Sequence, residues 1–152
     1  KKQVEASIDQ RVLELIRERG KPAKGALAAI ERCAAAGFPL AIASSSASEL
    51  IAAVVDTLGV RDRFAVLQSA EHEPYGKPHP AVYIEAARAL GIPPDQCLAI
   101  EDSPNGLLAA KAARMRCIVV PDPALRHDRR YCIADAVLDS LEDLSLDLIR
   151  SL

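Results

Sequence analysis

The segment Cys97-Leu98-Ala99-Ile100-Glu101-Asp102-Ser103-Pro104-Asn105-Gly106 joins four small or apolar residues to two adjacent carboxylates and a polar turn. A short apolar run without alternation is typical of a strand buried on both faces of a parallel sheet. Ser103 suits a helix N-cap and Pro104 suits the first helical position, so the segment predicts a strand, an acidic turn and a helix. Glu101 and Asp102 would then lie at the carboxyl end of the strand, where open α/β sheets bind ligands.

The two adjacent carboxylates admit two interpretations. Their mutual repulsion would be relieved by a hard divalent cation such as Mg2+, which prefers oxygen ligands. Alternatively, Asp102 or Ser103 only caps the helix, and Glu101 is a solvated turn residue. The dipeptide alone does not discriminate between a metal site and a capped turn.

The composition excludes several classes of protein. The 152 residues suit one domain, and a formal charge of −2 with interleaved acidic and basic residues gives no general attraction to nucleic acid. No apolar stretch reaches the length of a membrane span. The four cysteines are far apart and form no C-x-x-C pair, which predicts reduced thiols and a cytoplasmic protein. They are Cys33, Cys97, Cys117 and Cys132.

Apolar strand-like runs alternate with helical patterns, which predicts an α/β fold with a parallel sheet. The predicted strands cover residues 40–43, 64–68, 97–100, 116–120 and 136–138. The predicted helices cover residues 1–18, 25–36, 47–58 and 81–90, followed by one that Ser103 caps. Ser46 and Glu49 have the spacing of a capping box for the third of these helices.

Further polar groups are predicted at the same sheet edge as the carboxylates. Ser44 and Ser45 follow the first strand, and Lys77 precedes a helix on a segment that Pro78 and Pro80 hold extended. Hydroxyl, amide and ammonium donors suit a phosphoryl group, and the carboxylates suit a Mg2+ ion that would neutralise it. Each group alone is commonly structural, but together they predict phosphoryl transfer. A receiver-type signalling domain would place its acidic pair before the lysine, which is the reverse of this order.

Three segments resemble motifs II, III and IV of the haloacid dehalogenase superfamily, in its beta-phosphoglucomutase-like branch. They are Ala43-Ser44-Ser45-Ser46, Gly76-Lys77-Pro78-His79-Pro80 and Glu101-Asp102-Ser103-Pro104-Asn105-Gly106. The resemblance implies a Rossmann-like three-layer core in residues 21–152, preceded by the last helix of a helical cap in residues 1–20. It also implies a Mg2+-dependent phosphatase of small sugar or polyol phosphates, such as 2-deoxyglucose 6-phosphate and hexitol phosphates.

The resemblance assigns a role to each motif residue. Ser44 would donate a hydrogen bond to the transferring phosphoryl group, helped by the amide of Ser45. Lys77 would pair with the same group and with the carboxylate of the nucleophile. Asp102 would bind Mg2+ directly, and Glu101 would act through a coordinated water or as a second ligand. The other polar motif residues would shape or pack the loops: Ser103, Asn105 and His79.

The nucleophile of the family is absent from the sequence. Its nucleophile and its general acid/base are the two aspartates of a D-x-D motif after the first strand, and no D-x-D occurs here. Asp9, the first aspartate, falls within the predicted amphipathic helix. The resemblance places the missing strand at the centre of the sheet, between the strands ending at Ala43 and Glu101. We therefore hypothesise a partial chain that is inactive alone, with the nucleophile and most of the cap upstream.

The first hypothesis is a phosphatase that works through an aspartyl-phosphate intermediate, and two alternatives to it remain open. One is a sugar phosphomutase of the same family, and the other is a non-catalytic homologue that keeps the phosphate pocket. The expected partners are a small phosphorylated sugar or polyol and the missing segment of the same protein, with neither nucleic acid nor membrane. The full-length protein is expected to be a monomer.

Overall fold

Helices and strands alternate along the chain in the computed structural model of the protein, which describes residues 2–152. The helices are α1 (Lys2–Arg19), α2 (Ala26–Ala35), α3 (Ser48–Thr57), α4 (Ala81–Leu90), α5 (Pro104–Ala112) and α6 (Leu146–Ser151). The strands are β1 (Ala41–Ser44), β2 (Val66–Ser69), β3 (Leu98–Glu101), β4 (Arg116–Val119) and β5 (Ala136–Val137). The predicted α/β class is therefore confirmed. Lys1, at which the first predicted helix begins, lies outside the described residues.

The strands pair in parallel, but they form two separate sheets. β1 pairs with β2 from Ala41 opposite Val66 to Ser44 opposite Ser69. The second sheet has the order β3-β4-β5. Within the described part of the chain, β1 and β3 each form strand hydrogen bonds on one side only and are not paired with each other.

An apolar cavity of about 580 Å³ separates the two sheets. Ala41 and Ala43 of β1 and Leu98 and Ile100 of β3 line it, and Ala87 of α4 contributes to its wall. Backbone groups at an unpaired strand edge normally bond to another strand or to solvent. The cavity lies where the resemblance places the missing central strand of the sheet.

The core beside this cavity is rich in alanine. The inner face of α5 buries Ala109 and Ala110 completely, and α4 contributes Ala87, which is 1% exposed. Small side chains let these helices approach the strands closely, at native packing density. The two aromatic residues of this cluster are Tyr83 and Tyr131, and both carry a hydroxyl.

Two predicted helix starts have different outcomes. Ser103 caps α5 as expected, because its Oγ accepts a hydrogen bond from the amide of Gly106 at 3.0 Å. The capping box of Ser46 and Glu49 is wrong, since α3 begins at Ser48 and Ala47 occupies the cap position without a side-chain bond.

The start of α3 is instead set by a residue distant in sequence. The amide of Ser48 donates to Glu71 Oε2 at 3.0 Å. The amide of Ser46 is already used, because it donates to Ser44 Oγ at 3.1 Å and keeps Ser46 in the preceding turn. A carboxylate at a helix N-terminus is favoured by the helix dipole, so Glu71 takes the role that the local pattern assigned to Ser46.

All four cysteines are free, as reduced thiols require. In the part of the chain that the structure describes, no helix combines the length and the hydropathy needed to cross a membrane.

Asp135 connects the start of β5 to β4 and to α5 through three donors. Lys111 Nζ lies 2.7 Å from Oδ2, the amide of Cys117 donates to Oδ2 at 2.7 Å, and Arg116 Nη1 lies 3.3 Å from Oδ1. Burial alone raises the pKa of Asp135, but these donors outweigh it and lower the pKa below its ordinary value. A carboxylate with a depressed pKa stabilises the fold above its unfolded pKa and loses that contribution as the pH falls through the folded one.

Replacing Asp135 with Asn is therefore expected to lower the free energy of unfolding at neutral pH by about 1–3 kcal/mol. The difference from the parent should shrink as the pH falls below about 4, because the parent also loses the charge there. Urea unfolding at neutral pH and at about pH 3 measures both quantities. Asp139, whose side chain is 83% exposed beside Arg126, provides the control, since Asp139→Asn should change little at either pH. A constant difference for Asp135→Asn across this range would contradict the assignment.

Candidate active site

Lys77 joins the two sheets at their carboxyl edges. Its Nζ donates to the carbonyl oxygen of Ala43 in β1 at 3.1 Å and lies 2.5 Å from Oε1 of Glu101, the last residue of β3. The side chain is 15% exposed, so this ion pair is mostly shielded from water. Because Ser44 directly follows Ala43, the ammonium is placed beside the serine turn and beside the carboxylates.

Glu101 is buried and accepts hydrogen bonds at both carboxylate oxygens. Oε1 receives Lys77 and the hydroxyl of Tyr83. Oε2 receives the amide of Asp102 at 3.2 Å and both the amide and the hydroxyl of Ser103, at 3.4 and 3.2 Å. Gly106 makes room for this arrangement, because a Cβ atom at that position would overlap the Glu101 carboxylate.

The two adjacent carboxylates have opposite electrostatic environments. Burial alone raises the pKa of Glu101, but the Lys77 ammonium and the surrounding hydrogen bonds lower it below its ordinary value. The pKa of Asp102 is raised, first by partial burial of its carboxylate and then by the negative charge of Glu101. The protein thus compensates the charge of Glu101 more fully than that of Asp102, on which Lys77 and a backbone hydrogen bond act only in part.

The backbone of Asp102 is held by residues that follow β4. Its carbonyl oxygen accepts the hydroxyl of Tyr131 at 2.8 Å and the amide of Asp122 at 3.4 Å. Tyr131 is 6% exposed and packs in the alanine-rich cluster. Asp102 is an exposed residue, so its partly buried carboxylate lies at the surface on a fixed turn.

The turn of Ser44, Ser45 and Ser46 at the end of β1 is held in place by a hydrogen bond from β2. Ser44 Oγ accepts the amide of Ser46 at 3.1 Å, which leaves the hydroxyl proton of Ser44 able to donate elsewhere. Ser69 Oγ donates to the carbonyl of Ser46 at 2.6 Å and accepts the amide of Glu71 at 3.0 Å. Ser45 lies exposed in this turn.

Tyr83 extends from the first turn of α4 to the Lys77–Glu101 pair. Its hydroxyl donates to Glu101 Oε1 and accepts from Lys77 Nζ at 3.2 Å, and its ring centroid lies 4.7 Å from Nζ. Burial, followed by the charge of Glu101, raises the pKa of Tyr83 far above its ordinary value. The hydroxyl therefore keeps its proton and remains a donor.

His79 is a loop residue of the lysine segment. Its Nδ1 accepts the amide of Ala81 at 3.3 Å, at the start of α4, and its ring lies 5.5 Å from that of Tyr75. Asn105 also serves the turn, since its Oδ1 accepts from Arg130 at 3.3 Å. Both side chains thus contact other residues of the loops around the site.

The carboxylate pair supplies part of the ligand set of a divalent cation. The oxygen donors of Asp102 and Glu101 are of the type that Mg2+ prefers, and the raised pKa of Asp102 indicates a carboxylate charge that a cation would stabilise further. Among the described side chains, however, no group of three His, Cys, Asp or Glu residues could hold a metal ion together. The pair therefore fits part of a magnesium site, and further ligands would have to come from elsewhere.

Several residues of this site have no local signal in the sequence. Tyr83 and Tyr131 belong to helical or irregular segments, and only the tertiary fold brings their hydroxyls to the edge. Ser69 and Glu71 had a usable signal, since polar residues directly after a parallel strand are placed at its carboxyl edge. That rule, applied to β2, would have added both residues to the predicted site.

Comparison with known proteins gives consistent matches. Residues 1–114 match a family model for hydrolases of the haloacid dehalogenase-like type. The chain is 42% identical over 135 residues to hexitol phosphatase B of Escherichia coli. The aligned region covers 89% of this chain and 61% of that protein. The chain thus spans less than two thirds of the length of this relative.

Solved structures give the same result for the fold. CbbY from Rhodobacter sphaeroides in complex with phosphate superposes with a TM-score of 0.84 at 32% identity, covering 95% of this chain and 68% of that one. Beta-phosphoglucomutase from Clostridium difficile superposes with a TM-score of 0.79 at 25% identity, covering 91% of this chain and 60% of that one. Both matches confirm the predicted Rossmann-like architecture.

Proposed function

The chain belongs to the haloacid dehalogenase-like hydrolase family, and from this premise we propose that it is the larger part of a Mg2+-dependent phosphatase of small sugar or polyol phosphates. One observation carries the proposal. The Lys77 ammonium lies between the end of β1, beside Ser44, and the carboxylate of Glu101, which Asp102 directly follows. Anion donors and cation ligands thus meet at one sheet edge, as phosphoryl transfer requires.

In this proposal the chain's own residues bind and orient the phosphoryl group. The hydroxyl of Ser44 and the amide of Ser45 donate to its oxygens, and Lys77 neutralises part of its charge. Asp102 would bind Mg2+ directly, and the bound ion would supply further charge neutralisation. Glu101 fixes Lys77 and the turn, and its place in the metal site is that of a second or water-mediated ligand.

The nucleophile is proposed to be an aspartate on a strand outside these 152 residues. The apolar cavity between β1 and β3, with an unpaired strand edge on each side, supports a strand at that position. Its carboxyl end would lie beside Lys77. The aspartate attacks phosphorus and the bond from phosphorus to the sugar oxygen breaks, while the second aspartate of the D-x-D motif gives that oxygen a proton so that the sugar leaves as an alcohol. The same carboxylate then takes a proton from water, which hydrolyses the aspartyl phosphate to inorganic phosphate and the free aspartate. We also propose that residues 1–20 are the end of a cap domain and residues 21–152 the core.

The substrate class is supported by the relatives. The name of hexitol phosphatase B makes hexitol phosphates the first candidates. The family resemblance adds 2-deoxyglucose 6-phosphate as a second candidate. The structural similarity to a beta-phosphoglucomutase supports the mutase as the second candidate, since the same intermediate can return its phosphoryl group to a sugar.

The test is phosphate release from sorbitol 6-phosphate and 2-deoxyglucose 6-phosphate. The 152-residue chain is compared with the same chain extended upstream through the next D-x-D, each with Mg2+ and with a chelator. We expect turnover only for the extended chain and only with Mg2+. Isomerised sugar without free phosphate would favour the mutase. Activity of the short chain would reject the proposed nucleophile, and binding without turnover by the extended chain would favour the non-catalytic homologue.

A further inference from the structure

The hydroxyl of Tyr83 is a polar group in an otherwise apolar cluster. Tyr83 is 6% exposed and packs among alanine, valine and leucine side chains. Phenylalanine would fill the same volume without a polar atom, and a buried hydroxyl is costly unless it is hydrogen-bonded. Its hydroxyl is fully engaged, and both partners belong to the proposed active site.

The contacts of this hydroxyl form a closed triangle. Lys77 Nζ donates to the Tyr83 oxygen at 3.2 Å, the Tyr83 hydroxyl donates to Glu101 Oε1, and Lys77 Nζ lies 2.5 Å from the same Oε1. The third donor position of the ammonium is directed to the carbonyl of Ala43 at 3.1 Å. The three partners together define the position of Nζ.

This geometry matters because lysine is flexible. Its four-carbon side chain loses much rotamer freedom when it is fixed, and an ammonium with one carboxylate partner can reach that partner from several directions. The ring of Tyr83, whose centroid lies 4.7 Å from Nζ, blocks the approach of the ammonium to Glu101 from one side. The Tyr83 hydroxyl favours one of the directions of approach that are left. Loss of the hydroxyl alone would leave the pair with Glu101 but release its orientation.

We propose that Tyr83 is a positioning residue that orients the Lys77 ammonium, through their shared contact with Glu101, toward the end of β1 where the phosphoryl group is bound. The inference rests on the proposed function for its consequence in phosphate binding. The contact between the side chains can be tested independently of that function.

The first test uses Tyr83→Phe, which keeps the ring and removes only the hydroxyl. The affinity of the upstream-extended protein for inorganic phosphate is measured by calorimetry in the presence of Mg2+. We expect Tyr83→Phe to weaken phosphate binding about tenfold, as for loss of an oriented charged contact. In a Lys77→Met background the same substitution should change the affinity less than about twofold. Equal losses in the two backgrounds, or no loss in the parent, would overturn the inference.

A matched control is available in the chain. Tyr75 is 67% exposed, and Tyr75→Phe removes a hydroxyl near the same loop without a contact to Lys77. Its phosphate affinity should stay within about twofold of the parent.

The second test does not depend on phosphate. Urea unfolding of the 152-residue chain gives unfolding constants for the parent, Tyr83→Phe, Lys77→Met and the double variant. We expect the two effects to deviate from additivity by about fivefold, because the side chains are in contact. Additive effects would overturn the inference. If the extended parent binds no phosphate, the proposed function fails, while this cycle still decides whether Tyr83 holds Lys77.

Discussion

Replacing Gly106 with alanine is expected to destabilise the protein by about 2–4 kcal/mol, although alanine is the better helix former by about 1 kcal/mol. The added methyl group would overlap the Glu101 carboxylate, which is 9% exposed and has no free space to enter. Moving that carboxylate breaks its contacts with Lys77, Tyr83 and Ser103. The steric and hydrogen-bond losses therefore outweigh the gain in helix propensity.

Urea unfolding of the 152-residue chain measures this loss of stability. Two further variants show where it arises. Asn105→Ala, at the preceding exposed position of α5, should change stability by less than about 0.5 kcal/mol. Glu101→Asp withdraws the carboxylate by one methylene, so it should make the additional Gly106→Ala substitution less costly than it is in the parent. An alanine variant as stable as the parent would show that Glu101 does not need the space at Gly106.

Lys77→Met should have the second large effect, on stability and on catalysis. The substitution leaves the buried carboxylate of Glu101 without its cationic partner, which costs about 3–5 kcal/mol for shielded ion pairs of this kind. Adding Glu101→Gln removes the unpaired charge and should recover part of the loss. In the upstream-extended enzyme, Lys77→Met should also lower kcat/KM by at least about a hundredfold, because a charged donor to the phosphoryl group is lost.

Lys111→Met separates the two consequences of this substitution. Lys111 is paired with Asp135 at 2.7 Å, so its removal should destabilise the protein while leaving kcat/KM of the folded extended enzyme within about twofold of the parent. Unfolding and steady-state kinetics are measured on both variants. Comparable kinetic losses for the two lysines would show that Lys77 acts only through stability.

The fold could be predicted largely because it depends on short-range signals. The strand, acidic turn and helix around Glu101 follow from an apolar run, a capping serine and a proline, all within ten residues. Helix α4 begins and ends at the predicted residues, because Pro80 occupies its N-cap and Gly91 its C-cap. The start of α3 could not be predicted in this way, since Glu71 determines it from another loop.

The site was predictable where a residue's position along the chain fixes its place at the sheet edge. Lys77 and the carboxylates follow this rule, and the structure brings them together. The tyrosine contacts depend on helix rotation and on packing, which no local pattern encodes. The missing central strand was expected from the resemblance alone, because the periodicity of the sequence predicts each strand that is present and gives no sign of one that is not. The division into two sheets is a finding of the structure.

Because the buried faces of α4 and α5 are rich in alanine, most substitutions in this core enlarge a side chain and few make one smaller. Ala87, Ala109 and Ala110 have almost no side-chain volume to lose, so a random substitution there nearly always adds atoms. Damage then arises by forcing helix and sheet apart rather than by opening a void. The size of the new residue therefore limits most substitutions in this core, whereas a smaller residue would open a void at Leu107, a large residue of α5 that is fully buried.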